Sequence, residues 1–192
     1  FLAICCGVSG SGKSTLAEVL AAEAGAVRIR ADVERKRLFG LEPDADSRRA
    51  GVDIYTPEAG RRTFARLAEI AAEIVSNGFP VIVDATFIRR ALRTDFRRLA
   101  GELGVAFHIL LCDAPAEELR RRIRARLECG TDASEADIRV LEAQLRTAEL
   151  PDPLSEPETL CVGAVDPGSV KQLALRLGIH APVSDNAIAD EH

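Results

Sequence analysis

The sequence is poor in several residue types that most globular proteins use. It contains no methionine and no tryptophan, and aromatic residues make up only 4% of its 192 residues. Alanine, leucine, valine and isoleucine must therefore fill the hydrophobic core. Because methionine is absent, we expect that Phe1 is not a native translation start, and that either the numbering omits a beginning or the chain is part of a longer, multidomain protein.

Long hydrophobic runs are also missing. No apolar run reaches the roughly 18 residues that a membrane-spanning helix needs, and no signal peptide is visible. The five cysteines form no C-x-x-C pair, which argues against a zinc site or a redox disulfide. We expect cytoplasmic, reduced cysteines that are buried as small hydrophobic residues in predicted strands, namely Cys5, Cys6, Cys112 and Cys161.

Lysine is scarce, since all but three of the 25 basic residues are arginines. The net charge is −5, with an isoelectric point near 5.3. This balance argues against a broad surface that coats nucleic acid, although a local basic patch is compatible with it. One of the three lysines, Lys13, lies in the motif that carries most of the functional information.

Short apolar segments alternate with longer amphipathic segments along the chain. We predict strands at Phe1–Cys6, Val27–Arg30, Pro80–Asp84, Val105–Cys112 and Thr159–Val162. We predict helices at Ser14–Ala24, Asp32–Leu38, Pro57–Ser76, Arg89–Leu103, Pro115–Leu127, Ser134–Glu149 and Gly168–Leu177. The alternation indicates an α/β fold of three layers, a parallel sheet with helices on both faces. One domain would span residues 1–177, with residues 178–192 as a flexible tail.

The segment from Gly7 to Ser14 fits the phosphate-binding pattern G-x-x-x-x-G-K-[ST], between a predicted strand and a predicted helix. Glycines let consecutive N–H groups turn inward around a polyphosphate, and the helix N-terminus adds partial positive charge. Lys13 would bridge the β- and γ-phosphates, and Ser14 would give its hydroxyl to Mg²⁺. The predicted nucleotide-binding residues are Gly7, Ser9, Gly10, Ser11, Gly12, Lys13, Ser14 and Thr15.

Two carboxylates follow the predicted second and third strands. Asp32 could take the proton of an attacking hydroxyl, and Arg35, three residues on, could hold an anionic group of the acceptor. Equally, Asp32 and Arg35 could form only a helix cap with a surface ion pair. Asp84 ends an apolar strand, where it could hold a magnesium-bound water or brace an arginine, or merely cap the next turn.

A very basic helix follows the fourth predicted strand. Glu117 and Glu118 precede five arginines in seven residues, so most of these arginines can pair on the helix surface. Arg122 and Arg126 project on the same side, and the residues after them resemble a lid loop. We predict a basic helical lid at about residues 120–135, with Arg122 and Arg126 neutralising the transferring phosphoryl group.

Together these motifs resemble the P-loop kinases of the polynucleotide 5′-hydroxyl kinase and zeta-toxin type. The resemblance is closest to bacterial ATP-binding "predicted kinases", which are often fused to an aminoglycoside-phosphotransferase-like domain. It covers roughly residues 1–150 and rests on the phosphate loop, Asp32-x-x-Arg35, Asp84 with Thr86, and Arg122-x-x-x-Arg126. It implies a nucleotide-kinase-like P-loop NTPase fold with ATP and Mg²⁺ as cofactors. Asp32 would be the general base, Arg35 an acceptor-side clamp, Asp84 a bracing carboxylate that contributes to the metal site, and Arg126 the lid arginine.

The sequence therefore predicts an ATP-dependent phosphotransferase with a hydroxyl acceptor, either a small molecule or a nucleic acid. Three alternatives stay open. They are a polynucleotide 5′-hydroxyl kinase, a small-molecule kinase like the gluconate kinases that share the loop G-V-S-G-S-G-K-S, and a non-catalytic ATP-sensing module of a larger protein. The preference for adenine over guanine rests on the resemblance, because the chain has no N-K-x-D motif.

Overall fold

A computed structural model describes residues 1–47, 49–129, 134–163 and 167–178. The middle of the predicted lid loop, residues 130–133, and the predicted tail beyond Gly178 lie outside the described residues. The described chain forms a five-stranded parallel sheet in the order β2-β3-β1-β4-β5. Its strands are β1 (Leu2–Cys6), β2 (Val27–Arg30), β3 (Val81–Asp84), β4 (Phe107–Cys112) and β5 (Thr159–Val162).

Helices connect the strands and cover the sheet. They are α1 (Lys13–Ala24), α2 (Ala31–Leu38), α3 (Pro57–Ser76), α4 (Arg90–Glu102), α5 (Ala116–Cys129), α6 (Ile138–Thr147) and α7 (Pro167–Arg176). Thr56 caps α3 by accepting a hydrogen bond from the Ala59 N–H, and Pro57 takes the first helical position. The predicted three-layer α/β fold is confirmed.

Each face of the sheet has its own hydrophobic core. On one face, side chains of α3 and α4 such as Leu67 and Phe96 pack on β1 and β3. On the other face, Leu16 of α1 and Leu173 of α7 pack on the opposite sides of the same strands. All five residues of β1 are buried, as expected for a central strand that is covered twice.

The strand register brings functional residues to one edge of the sheet. Arg30 at the end of β2 pairs with Asp84 at the end of β3, and Cys6 at the end of β1 pairs with Leu111 near the end of β4. The loops that follow these strands therefore start at the same level. In an open parallel sheet this carboxyl edge is where ligands bind.

A buried ion pair supports the turn after β3. Two guanidinium nitrogens of Arg93 donate to the Glu156 carboxylate at 3.0 and 2.6 Å, and a third donates to the Phe87 carbonyl at 2.9 Å. Both charged side chains are almost fully buried. Phe87 has a positive φ of 40°, a conformation that is uncommon for a bulky residue. The ion pair thus ties α4 and the segment before β5 to the turn that carries Thr86.

Two details differ from the sequence-based expectations. Cys161, expected to be buried, is exposed, because it lies on β5 at the uncovered edge of the sheet. Helix α6 was expected from Ser134 but begins at Ile138, where the Asp137 carboxylate accepts from the Val140 N–H and caps the helix. Among the described residues, no helix is both long and apolar enough to cross a membrane.

Candidate active site

A cleft of about 320 Å³ opens at the carboxyl edge of the sheet. Its wall includes all but two of the predicted site residues: Ser9, Gly10, Gly12, Lys13, Ser14, Thr15, Asp32, Arg35, Asp84, Arg122 and Arg126. Gly7 and Ser11 belong to the same loop but do not line the cleft. A larger groove of about 650 Å³ runs along β2 between α2 and α3, and it contains no residue of the phosphate loop. The structure therefore brings the predicted motifs together in the smaller cleft.

The phosphate loop, residues 7–14, is closely packed at two of its glycines, where a side chain would clash or force a neighbour to move. At Gly7, with φ of +147°, a Cβ would lie 2.3 Å from the Cys112 carbonyl oxygen. At Gly10, with φ of +82°, a Cβ would lie 3.0 Å from the Leu119 carbonyl oxygen and 3.2 Å from Ile123. The loop thus packs between the end of β4 and helix α5. This packing holds its backbone in the turn that phosphate binding needs.

Lys13 begins α1, and its ammonium lies inside the loop. Its Nζ donates to the Val8 carbonyl at 2.7 Å and to the Ser11 hydroxyl at 3.4 Å. Burial lowers the pKa of Lys13, while the nearby Asp84 carboxylate acts in the opposite direction. Both acceptors of the ammonium are neutral, so a negatively charged phosphate oxygen could replace them and form an ion pair with Lys13.

Ser14 and Asp84 form the part of the cleft that fits a magnesium ion. The Ser14 hydroxyl donates to Asp84 Oδ1 at 3.3 Å. The other carboxylate oxygen, Oδ2, accepts from Arg28 at 2.7 and 3.2 Å. No group of three or more potential metal-binding side chains forms within the described part of the chain. Such a sparse donor set suits Mg²⁺, which takes one or two protein oxygens and completes its shell with substrate phosphates and water.

Asp32 and Arg35 lie on the first turns of α2, and both side chains line the cleft. Arg35 Nη1 donates to Asp32 Oδ1 at 3.2 Å, so the predicted ion pair is present. The guanidinium also lies over the Tyr55 ring, 5.1 Å from its centroid. Arg35 Nε is buried and has no hydrogen-bond partner among the described residues. The ion pair that the sequence allowed is therefore present, whereas Asp32 does not cap the helix, because the N-cap of α2 is Arg30 and no side chain caps it.

Helix α5 places its two predicted arginines on the cleft side. Arg122 donates through Nε to Glu118 at 2.8 Å and through Nη1 to the Gly10 carbonyl at 3.3 Å. Arg126 Nη2 donates to the Ala136 carbonyl at 2.5 Å. The neighbouring arginines are paired away from the cleft, Arg120 with Glu142 and Arg121 with Glu118. Arg122 thus shares Glu118 with Arg121 but also contacts the phosphate loop, and the catalytic role of Arg122 and Arg126 stays a prediction.

Helix α6 also contacts the phosphate loop, which the sequence did not predict. The Gln144 side-chain oxygen accepts from the Ser9 N–H at 2.7 Å across 135 residues. Leu141 packs with Val8 and Ile123 in a small hydrophobic cluster beneath this contact. The amphipathic pattern of α6 indicates which face is buried, but no local signal identifies the loop that Gln144 reaches.

Comparison with known proteins identifies the family. The profile of the AAA_33 family, described as an AAA domain, matches residues 2–151. The chain belongs to this family. A search of the curated proteins gives no significant match.

Solved structures show how widely the fold of this AAA_33 domain is shared. A gluconokinase from Sinorhizobium meliloti 1021 is 22% identical, with 92% of this chain and 94% of that chain covered and a TM-score of 0.62. Kti12 from Chaetomium thermophilum, in complex with ADP-AlF3, is 17% identical, with 94% and 100% covered and a TM-score of 0.73. The APS kinase of Mycobacterium tuberculosis, in complex with AMPPNP and APS, is 20% identical, with 92% and 95% covered and a TM-score of 0.64.

At these identities the likeness shows a common fold. The AAA_33 domain described here has an α/β fold like that of P-loop NTPases, as the sequence predicted. The more specific resemblance to polynucleotide 5′-hydroxyl kinases and zeta toxins stays a prediction, and so does the fused phosphotransferase-like domain.

Proposed function

We propose that this domain is an ATP-dependent phosphotransferase that moves the γ-phosphoryl group of ATP to a hydroxyl acceptor. One observation carries the proposal: the Asp32 carboxylate lines the same small cleft as the phosphate loop. A nucleotide-binding module needs the loop alone. A phosphotransferase also needs a base that faces the γ-phosphate from the acceptor side.

The proposed reaction uses the chain's own side chains in four roles. Asp32 accepts the proton of the acceptor hydroxyl as its oxygen forms a bond to the γ-phosphorus, and the bond from that phosphorus to the bridging oxygen of ADP breaks. Lys13 holds the β- and γ-phosphates. Arg122 and Arg126 approach from α5 and neutralise the charge of the transferring group. Arg35 orients the acceptor.

The metal site would consist of Ser14 and Asp84, with Arg28 fixing the carboxylate. Mg²⁺ bound there would supply positive charge to the β- and γ-phosphates. The Arg28 contact holds Asp84 Oδ2, which leaves Oδ1, next to the Ser14 hydroxyl, for the metal or its water.

Among the possible hydroxyl acceptors, a small acidic molecule suits the cleft best. Arg35 lines the cleft beside the proposed base. An acceptor with a carboxylate, sulfate or phosphate group could form a charge-assisted contact with its guanidinium. The likeness to a gluconokinase and to an APS kinase points in the same direction, since gluconate and APS are both anionic.

A transfer assay tests the proposal. The protein would be incubated with Mg²⁺ and ATP labelled on the γ-phosphate, with D-gluconate, APS, neutral sugars and a 5′-hydroxyl oligonucleotide as separate acceptors. We expect label in an anionic small molecule, and none with Lys13→Ala. Label in the oligonucleotide would support a polynucleotide kinase instead. ATP binding without transfer to any of the acceptors would favour a nucleotide-sensing module.

A further inference from the structure

Glu135 connects the segment after α5 to the long loop between α2 and α3. Its carboxylate accepts from the Ser47 hydroxyl at 2.6 Å and from the Ser47 N–H at 2.9 Å. The Lys36 ammonium lies 3.3 Å from the same carboxylate, and the two charged side chains are only 2% and 14% exposed for Lys36 and Glu135. Lys36 also donates to the Pro43 carbonyl at 3.1 Å. These contacts hold the loop between α2 and α3 against both α2 and the segment after α5.

The backbone of Glu135 continues this connection toward the proposed acceptor site. Its N–H donates to the Tyr55 hydroxyl oxygen at 3.3 Å. The Tyr55 ring supports the Arg35 guanidinium, which is paired with Asp32. A continuous series of contacts therefore runs from the Glu135 carboxylate, through its own backbone and Tyr55, to the proposed base.

The next residue holds the other side of the cleft. The Ala136 carbonyl accepts from Arg126, the proposed lid arginine on α5. Two consecutive residues thus fix the acceptor-side arginine and the phosphoryl-side arginine at the same time. A shift of this dipeptide would move both cations relative to Asp32.

We propose that Glu135 is a positioning residue that sets Arg35 and Arg126 around Asp32 when the acceptor binds. This inference rests on the proposed phosphotransfer, because it assigns the arginines their place in that reaction. Glu135 itself does not line the phosphate-loop cleft, so it acts through these neighbours and does not touch the reacting atoms.

The charge state of Glu135 is compatible with this role. Burial alone would raise the pKa of Glu135, but the hydrogen bonds from Ser47 and the Lys36 ammonium outweigh it and lower the pKa below its ordinary value. The carboxylate is therefore ionised at neutral pH and retains both of its anchoring partners. Glu135→Gln removes that charge and one acceptor oxygen with little change in size.

Tyr55 provides a direct reporter, because it is the one tyrosine of the chain. Labelling the tyrosine ring with carbon-13 gives a single set of ring signals from the full chain. We expect Glu135→Gln and Ser47→Ala to move these signals toward their positions in the urea-unfolded protein. Ser47→Ala leaves the buried pair of Lys36 and Glu135 intact, so it tests the contact with less risk to folding. Glu142→Gln is the matched control, since Glu142 pairs with Arg120 between α5 and α6, away from the cleft.

Kinetics with D-gluconate or APS as the acceptor separate positioning from a general structural role. We expect Glu135→Gln to raise the acceptor KM about tenfold or more, as expected for loss of one charge-assisted contact, while the Kd for ATP stays within about twofold. Equal losses in ATP binding and acceptor KM, or the same changes in Glu142→Gln, would overturn the inference.

Unmoved Tyr55 signals in both Glu135→Gln and Ser47→Ala would overturn it as well. If the wild type transfers to no acceptor, the proposed function fails, while the Tyr55 signals still decide whether Glu135 holds Arg35.

Discussion

The Ser14 hydroxyl donates to Asp84 Oδ1 at 3.3 Å, although 70 residues separate them in the chain. Asp84 Oδ2 is held by Arg28, so the carboxylate is fixed from two directions. This pair lies at the start of α1, where the phosphate loop ends. It is therefore the place at which the protein can add oxygen ligands to a magnesium ion that is bound to nucleotide phosphates.

Replacing Asp84 by asparagine should weaken the binding of Mg²⁺ that transfer activity requires. The amide keeps the shape but loses the charge, so we expect the Mg²⁺ concentration for half-maximal activity to rise about 10- to 100-fold. Titrating Mg²⁺ at constant ATP measures this. Asp95→Asn is the control, because Asp95 is an exposed carboxylate on α4. An unchanged magnesium requirement in Asp84→Asn would contradict the assignment.

Nucleotide binding should weaken at alkaline pH. Burial lowers the pKa of Lys13, so in the protein without nucleotide its ammonium loses a proton at a lower pH than an ordinary lysine would. A neutral Lys13 cannot attract phosphate oxygens, and the affinity for ATP should fall as the pH rises through that pKa. Calorimetric titrations between about pH 7 and pH 10 measure the effect. Lys13→Ala should bind weakly at every pH, and a wild type with constant affinity across this range would refute the prediction.

Gly10→Ala should push the phosphate loop away from α5. The new methyl group would lie 3.0 Å from the Leu119 carbonyl, on a backbone with φ of +82° that disfavours any side chain. We expect the Kd for ATP to rise about tenfold, which corresponds to a loss of about 1.4 kcal/mol of binding free energy. Gly101→Ala is the matched control, since Gly101 lies within α4 with open space around it. It should bind ATP normally, and equal ATP binding by both variants would contradict the packing argument.

Glu156→Gln should destabilise the fold. It leaves the Arg93 guanidinium buried without its counter-charge, which typically costs about 3–5 kcal/mol. Urea unfolding measures the loss, and Glu102→Gln, which breaks only the exposed pair with Arg98, should cause little change. A similar small loss in both variants would show that the buried pair does not support the turn at Phe87.

The same ion pair predicts how stability depends on pH. Hydrogen bonds from Arg93 lower the pKa of Glu156 in the folded state, although burial acts in the opposite direction. The stabilisation is therefore complete above the ordinary carboxyl pKa of 4.5 and is lost as the pH falls through the lowered value. Acid unfolding of the wild type should show this loss, and Glu156→Gln should lack it. Parallel acid profiles for the two proteins would contradict this account.

The sequence predicts the fold and the phosphate loop because both depend on local patterns. Strand β5 lies where its apolar run places it, since a short hydrophobic run between turn residues admits few other structures. The loop from Gly7 to Ser14 is recognisable because its glycines and Lys13 are contiguous. The convergence of Asp32 and Asp84 follows from the topology of a parallel sheet.

The contacts that complete the site could not be predicted, because they join distant parts of the chain. Gln144 reaches Ser9, Arg28 reaches Asp84, and Glu135 reaches Ser47 across 88 residues. Helix α6 begins later than its amphipathic pattern predicts, at the residue after Asp137, whose carboxylate caps it. Tertiary packing decides each of these pairs, and no spacing within one element encodes it.

The proposed function requires Asp32 to act as the base of phosphoryl transfer in a cleft that binds ATP independently of it. The most direct test compares Asp32→Asn with the wild type in two measurements, the Kd for ATP and the rate of transfer from γ-labelled ATP to the anionic acceptor. Asparagine can still accept the hydrogen bond from Arg35 but takes no proton. We predict a transfer rate lower by about 10²- to 10⁴-fold with the Kd for ATP within about twofold of the wild type. Full transfer by Asp32→Asn, or loss of ATP binding in proportion to the loss of transfer, would contradict the claim.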